Sequence, residues 1–406
     1  MISRTWIKCL TCAGAITARI QVGHEKLQAV LFPCPLCGTE VKLTLLLDAP
    51  PRVKINWGEN CEEGSEEGAI VNVGAGFTIS KDRVSDPYYF PSMDLLPMAR
   101  MRKLMDELEH KPADGSGPLL NDTSVALGNL PHSREGWKFI QKALRFNSTG
   151  QVALRDGQID SFWGGQIPDG TTLESTVFAF FSRMLAPRNQ QIIESLGSAL
   201  DAAYAANPIE LRRLANDLAG SWVKERFESY SEIFNEYFRG FAEFDQTLVY
   251  ARNGVQLNEG HFASSSDFDL TRMFYGNAFE LLGTHLDLVA AVNNVANGRN
   301  YEQMKAMDLK QFRGLNKANR TACFSENIEL TWFVGEYDSV VRNASHHRWF
   351  RLDERRLNIS YRSGGTGALR SMSYAEYLFR CNKLAIQLMA MVCWDLLFLK
   401  RTGKTI

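Results

Sequence analysis

The spacing of apolar residues changes along the chain. Ala15–Val22 alternates and is rich in β-formers, Val41–Leu47 continues in the same way, and Ala69–Val73 reads as a further short strand. From about His132 the period lengthens to that of a helix, and helices are predicted over 133–145, 172–184, 189–206 and 208–243. Tyr230, Phe234, Tyr237, Phe238 and Phe241 form an aromatic stripe at helical spacing, which reads as core rather than as a platform for nucleobases. Residues 266–297 predict one long helix, with Ser266 or Asp267 as its cap and Gly298 as its stop; apolar positions nearly encircle it, so it should be buried. Another helix, capped by Ser325 with Glu326 and Glu329 in its first turn, is expected to run through Ile328, Trp332, Phe333, Val340 and Val341 into Arg342. Leu357–Tyr361 then alternates as a short strand, 363–367 is a glycine-rich turn, and Ser373-Tyr-Ala-Glu376 is a capping box opening a helix that reaches about Lys400. Between the two regions, residues 97–109 predict a short helix and 112–122 a linker. The fold class is therefore mainly α, with a small β module over 1–50, a mixed β and irregular connector over 51–130, a helical middle region over 131–258 and a helical bundle over 259–406.

Composition narrows the function classes. The 406 residues carry a formal net charge of −1, with 45% hydrophobic and 22% charged residues, which is ordinary for a globular protein of several modules. Met1–Leu10 lacks the apolar run of a signal peptide, so a cytoplasmic location is expected. Leu384–Leu399 is interrupted by Gln387 and Asp395 and reads as too short and too polar to cross a bilayer. Gly74-Ala-Gly76 is followed by no helical pattern and is not a dinucleotide fingerprint.

Two constellations carry chemistry. Cys9-Leu-Thr-Cys12 and Cys34-Pro-Leu-Cys37-Gly38 are two C-x-x-C pairs 21 residues apart. Two turns that each offer two thiolates can close one tetrahedral site. Two disulfides, or a redox-active pair, are the competing readings. A cytosolic setting disfavours the first, and a redox motif needs only one pair at a helix start. The segment resembles the zinc ribbons, and one structural zinc per chain on Cys9, Cys12, Cys34 and Cys37 is expected, with no cofactor for catalysis. Cys61, Cys323, Cys381 and Cys393 are scattered, and the last two read as buried free thiols.

The second constellation is Val341-Arg342-Asn343-Ala344-Ser345-His346-His347-Arg348-Trp349. A histidine moves protons near neutral pH, and a guanidinium clamps phosphate and stabilises charge that builds on it. From Arg342 to Arg370 there are seven arginines and no lysine, against Asp353 and Glu354; this local excess fits bidentate phosphate contact. The bland readings are an i,i+4 ion pair of Arg342 with Asp338 and a solvated charged face.

The segment resembles the R-N-x-x-x-H signature of the HEPN-superfamily ribonucleases, with Arg342 and His347 as the matching pair and His346 beside it. The resemblance covers roughly 260–406, and the order of helix, motif, short hairpin and long apolar helix agrees with it. It implies an all-helical bundle, a homodimer through the C-terminal domain, and metal-independent endoribonuclease chemistry in a regulated toxin or anti-phage defence effector. In that reading Arg342 stabilises the phosphorane-like charge, His347 is the general base or acid, Asn343 orients the cleft, and Arg348, Arg351, Arg355 and Arg356 bind RNA. Partners would be RNA and a regulatory protein or phage trigger, with no membrane. In toxins of HEPN–nucleotidyltransferase pairs a tyrosine two residues after the histidine can be adenylylated. Trp349 stands there and has no hydroxyl to modify. Control is then expected from upstream, and a fragment of roughly 255–406 should be the more active form. The alternatives are a non-catalytic nucleic-acid-binding or scaffold protein on a degenerate HEPN fold, and a transcription-type ribbon joined to an unrelated helical domain.

Overall fold

The computed structural model describes residues 2–23, 25–47, 52–76, 78–90, 93, 133–218, 220–263, 265, 267–324, 327–354, 357–362 and 367–406. The expected helix over 97–109, the linker over 112–122, the caps Ser266 and Ser325 with Glu326, the turn residues 363–366, and Arg355 and Arg356 lie outside the described residues. The strands are β1 (Ile2–Cys9), β2 (Ala15–Gln21), β3 (Leu27–Pro33), β4 (Glu40–Leu47), β5 (Val53–Trp57), β6 (Cys61–Glu63), β7 (Ala69–Gly74), β8 (Ile79–Ser80), β9 (His261–Phe262), β10 (Arg351–Leu352), β11 (Asn358–Arg362) and β12 (Leu369–Ser373). Besides the single turn Lys81–Val84, the helices among the described residues are α1 (Ser133–Ser148), α2 (Val152–Trp163), α3 (Leu173–Leu185), α4 (Asn189–Ala206), α5 (Pro208–Asp217), α6 (Ser221–Arg239), α7 (Phe241–Asn253), α8 (Phe274–Ala296), α9 (Leu309–Gly314), α10 (Ser339–His346) and α11 (Tyr374–Thr402). Helix dominates, as the periodicity predicts. The chain divides into two compact units: one holds 1–114, 239–273 and 347–382, the other 115–238, 274–346 and 383–406.

The first unit is built on two small sheets. One has the order β6-β1-β2-β7, with β7 parallel to β2; the other is the antiparallel meander β3-β4-β5. Alternation puts Ile7, Ile16, Ala18 and Ile20 from one sheet and Val30, Phe32, Val41, Leu43 and Leu45 from the other into one dry cluster. Val71 and Val73 join it, and Ile55 and Trp57 pack against it. The apolar core around the cysteines is thus larger than residues 1–50 alone could supply. Further along this unit, buried Glu243 on α7 accepts hydrogen bonds from the Ser265 hydroxyl (2.9 Å), the Asp267 amide (2.7 Å) and the Tyr374 hydroxyl. The short antiparallel sheet β10-β11-β12 turns Ile359 and Met372 inward and leaves Arg351 and Arg362 on its other face.

In the second unit α8 is the central helix, packed against α4, α10 and the 3-10 segment Lys317–Phe324. The aromatic stripe is core, in agreement with its spacing: Tyr230, Phe234, Tyr237 and Phe238 are buried, Trp137 stacks on Phe238 at 5.4 Å, and Phe181 meets Phe234 at 4.6 Å.

Three predicted helices are broken, each for a local reason. The 266–297 helix is a 3-10 turn, Phe268–Leu270, followed by α8; the Tyr377 hydroxyl takes the carbonyls of Thr271 and Arg272, which a continuous helix would need. The helix expected into Arg342 is a 3-10 turn, Ile328–Phe333, capped by Asn327, and then the separate α10, whose first amides, those of Val340 and Val341, bond the Asp338 carboxylate. The long 208–243 helix is interrupted at Gly220, which has φ +95°, and at Gly240. The reading of the last helix as too short and too polar to span a bilayer is corrected by its length: α11 has 29 residues and is apolar enough to cross one. Its most apolar window is 89% buried inside the protein, as in a core helix.

Candidate functional site

Among the described residues, two places assemble reactive side chains. The first is at the cysteine pairs. Each pair sits in a tight turn of one design. The Cys9 amide donates to the Gly14 carbonyl (3.0 Å) and the Ala13 amide to the Cys9 carbonyl (2.9 Å); in the second turn Cys34 donates to Thr39 (2.8 Å) and Gly38 to Cys34 (2.8 Å). The residue after each second cysteine has a left-handed backbone, φ +77° at Gly38 and +57° at Ala13, so the first turn carries a strain that the second avoids. The four Sγ atoms lie within 4.8 Å of one another and could hold a metal ion; among the described residues no other group of three or more His, Cys, Asp or Glu is so disposed. Cys9 to Cys37 and Cys12 to Cys34 are each 3.8 Å between sulfurs, well beyond the disulfide bond of about 2.05 Å. Hydrogen bonds to the Thr39 hydroxyl and amide draw the Cys37 thiol down to about 6, and burial pushes Cys34 up to about 12.

Asn60 fastens the two turns. Its carbonyl accepts from the Leu10 amide (3.2 Å), its side-chain oxygen from the Thr11 hydroxyl (2.6 Å), and its side-chain amide donates to the Glu40 carbonyl (3.2 Å). Cys61, next to it, faces Cys9 across the β1–β6 pairing and donates to the Lys42 carbonyl (3.2 Å), so it flanks the cluster without belonging to it. Neither residue carries a motif that would have singled it out; Asn60 is legible only in that it takes φ +58°, a conformation asparagine tolerates.

The second place is the face of α8 that meets α10. Arg342 does not simply pair along its own helix: its Nε and Nη2 both bond the Glu280 carboxylate, and Nη1 donates to the Asn343 side chain (2.6 Å). The other Glu280 oxygen takes Lys317 Nζ at 2.8 Å. All three charged side chains are about a quarter exposed: Arg342 25%, Lys317 28% and Glu280 24%. Burial alone would raise the Glu280 carboxyl; hydrogen bonds from Lys317 and Arg342 outweigh it and hold it below the ordinary glutamate value. Two cations on one carboxylate leave a single positive charge in excess.

Glycines make this assembly possible. A Cβ on Gly276 would meet the His346 backbone nitrogen at 3.1 Å, and one on Gly283 would meet the Tyr337 hydroxyl at 2.3 Å and Lys317 Cβ at 2.9 Å. Seven residues apart, the two lie on one face of α8 with Glu280 between them. The Gly276 amide also donates to Ser345 (3.1 Å), fixing the end of α10. Tyr337 stacks on Phe279 at 3.8 Å and donates to the Lys317 carbonyl (3.0 Å). Gly276, Glu280, Gly283 and Lys317 escape a sequence reading in which only the apolar residues of α8 carry weight.

The motif residues divide. Arg342, Asn343 and His346 are on α10 in the second unit; His347 follows the last helical residue and begins a segment of the first. His346 is four residues after Arg342 and so shares its helical face. His346 and His347 are exposed, and His347 stacks against Trp349 at 4.9 Å. Arg348 is exposed with φ +57°, and Arg351 is exposed on β10. Compared with known family models, curated proteins and solved structures, the chain matches none.

Proposed function

We propose that the protein is an endoribonuclease that cuts RNA without a catalytic metal, using Arg342 and the His346–His347 pair. The carrying observation is the guanidinium of Arg342 held on Glu280 and Asn343, in a helix whose last residue is the exposed His346, with the exposed His347 directly after it. A rigid, permanently charged group is what a developing phosphorane dianion needs. In the reaction the 2'-oxygen bonds to phosphorus as its proton passes to a base, and the P–O5' bond breaks as the 5'-oxygen takes a proton. The products are a 2',3'-cyclic phosphate and a 5'-hydroxyl. The resemblance gives the proton transfer to His347, whereas His346 has the helical face of Arg342 in its favour. It also adds a homodimer and a defence or toxin setting. The test is RNA cutting and RNA binding by Arg342→Ala, His346→Ala and His347→Ala. Loss of cutting by roughly a hundredfold or more with binding largely kept is expected for Arg342→Ala and for one histidine. Unchanged cutting in all three would remove the reading, and binding without any cutting by the wild type would favour a non-catalytic RNA-binding protein.

The metal of the cysteine cluster is, in this reading, one structural zinc. A tetrahedral four-thiolate zinc with bonds of about 2.3 Å has sulfur–sulfur edges of about 3.8 Å, the separation of both cross-turn pairs. Four protein ligands leave no open position for substrate. Elemental analysis should give one zinc per chain in the wild type and none in Cys34→Ser; equal zinc in both would contradict it.

A further inference from the structure

We propose that Lys317 is a second phosphate-contacting cation of the Arg342 site, with Glu280 as the positioning residue that holds the two side by side; this rests on the ribonuclease reading above. Glu280 receives Arg342 on one oxygen and Lys317 on the other, so a single negative charge is shared between two positive ones. A phosphodiester brings the missing charge, and both cations keep N–H donors to spare. Lys317 has three and places one on Glu280; Arg342 has five and commits three bonds to Glu280 and Asn343.

The placement of Lys317 is built, not incidental. Its backbone carbonyl is held by the Tyr337 hydroxyl, whose ring is stacked flat on Phe279. Its side chain leaves the 3-10 segment through the space that Gly283 leaves open. A solvated surface lysine needs none of this. Arg342 itself lies over the Phe279 ring, 5.8 Å from its centre, so one aromatic pair braces both cations. The neighbouring Arg320 differs: it is buried and spends its donors on the carbonyls of Gly283, Arg313 and Leu315, which makes it a fastener of the same segment.

The class of ligand is a single-stranded RNA backbone, with one phosphate spanning Lys317 and Arg342. The experiment measures binding of a labelled single-stranded RNA oligonucleotide over a range of salt, and its cleavage, for the intact wild type, Lys317→Ala, Lys317→Arg and Glu280→Gln. Removing one phosphate-binding cation should lower the slope of log affinity against log salt by about 0.7. Lys317→Ala is expected to show that smaller slope and to cut roughly tenfold more slowly, while Lys317→Arg keeps both. Glu280→Gln should keep the slope, because both cations remain, and cut more slowly, because they are no longer held. Wild-type slope and cutting in Lys317→Ala would overturn the proposal while leaving the ribonuclease reading standing. A wild type that binds RNA and never cuts, with the slope change intact in Lys317→Ala, would overturn the reading and keep the phosphate-binding role. A wild type that neither binds nor cuts the oligonucleotide would overturn both.

Discussion

Two arginine–carboxylate pairs in the second unit use the same groups and differ in what surrounds them. Arg226 bonds Asp395 through Nε (2.5 Å) and Nη2 (3.0 Å), and their side chains are 3% and 2% exposed. Tyr230 donates to the same carboxylate (2.6 Å), and Arg226 also donates to the His285 carbonyl (3.1 Å). Every strong donor is turned inward, and nothing is offered to solvent. Arg342 sets Nε and Nη2 on a single Glu280 oxygen, about a quarter exposed, and Lys317 adds a second cation on the other oxygen of that carboxylate. The sealed pair satisfies itself and ties α6 to α11. The open pair is satisfied only in part, and that surplus is what suits it to a charged ligand.

The two pairs should part most visibly under carboxylate deletion. Asp395→Ala leaves a buried guanidinium with only the more distant Asp287 carboxylate, at 3.6 Å, and should cost about 3–5 kcal/mol in a urea titration. Gly283→Ala drives a methyl into Tyr337 and Lys317 and should cost about 1–3 kcal/mol by the same titration, together with RNA affinity. Glu280→Ala, where both cations remain in reach of water, should cost no more than about 1 kcal/mol. Equal losses at Asp395 and Glu280 would dissolve the distinction between the pairs.

The smallest effect is in pH. Burial first, then Arg226 and Lys317, hold His285 well below its ordinary 6.5, and so it folds neutral. The unfolded chain takes up that proton as pH falls through 6.5 and the folded chain does not, so stability present above 6.5 is lost progressively below it. Melting temperature followed from about pH 7 to about pH 5 should fall, and His285→Gln should flatten part of that fall. An unchanged slope in the variant would show that His285 is not the group responsible. Glu280 acts further into acid: its lowered value gives a contribution present above 4.5 and lost as pH drops through the folded value.

Legibility follows the range of the interactions. The cysteine cluster is readable because two turns of four residues each set their own geometry, and the spacing of the pairs says the rest. Strand Leu357–Tyr361, the cap at Ser373 and the stop at Gly298 are readable for the same reason: each is decided within a few residues. The Ser373 hydroxyl accepts from the Glu376 amide (3.1 Å), and Gly298 takes φ +70°. The partner of Arg342 is not readable. Asp338 is the near choice at i,i+4, but its carboxylate caps α10, and the guanidinium reaches 62 positions back to Glu280. Nor can apolar periodicity show that Thr271 and Arg272 give their carbonyls to Tyr377, more than a hundred residues on, and so end the expected helix. Pattern reports which face is buried; it is silent on which distant side chain competes for a backbone group.

Phosphate chemistry at Arg342 is tested most directly by incubating purified wild-type protein and Arg342→Ala with total RNA in excess chelator and mapping the cut ends. The result expected is 2',3'-cyclic phosphate and 5'-hydroxyl ends from the wild type and almost none from the variant. Ends bearing 5'-phosphate, cutting that strictly follows added magnesium, or equal cutting by Arg342→Ala would contradict a metal-independent site built on this arginine.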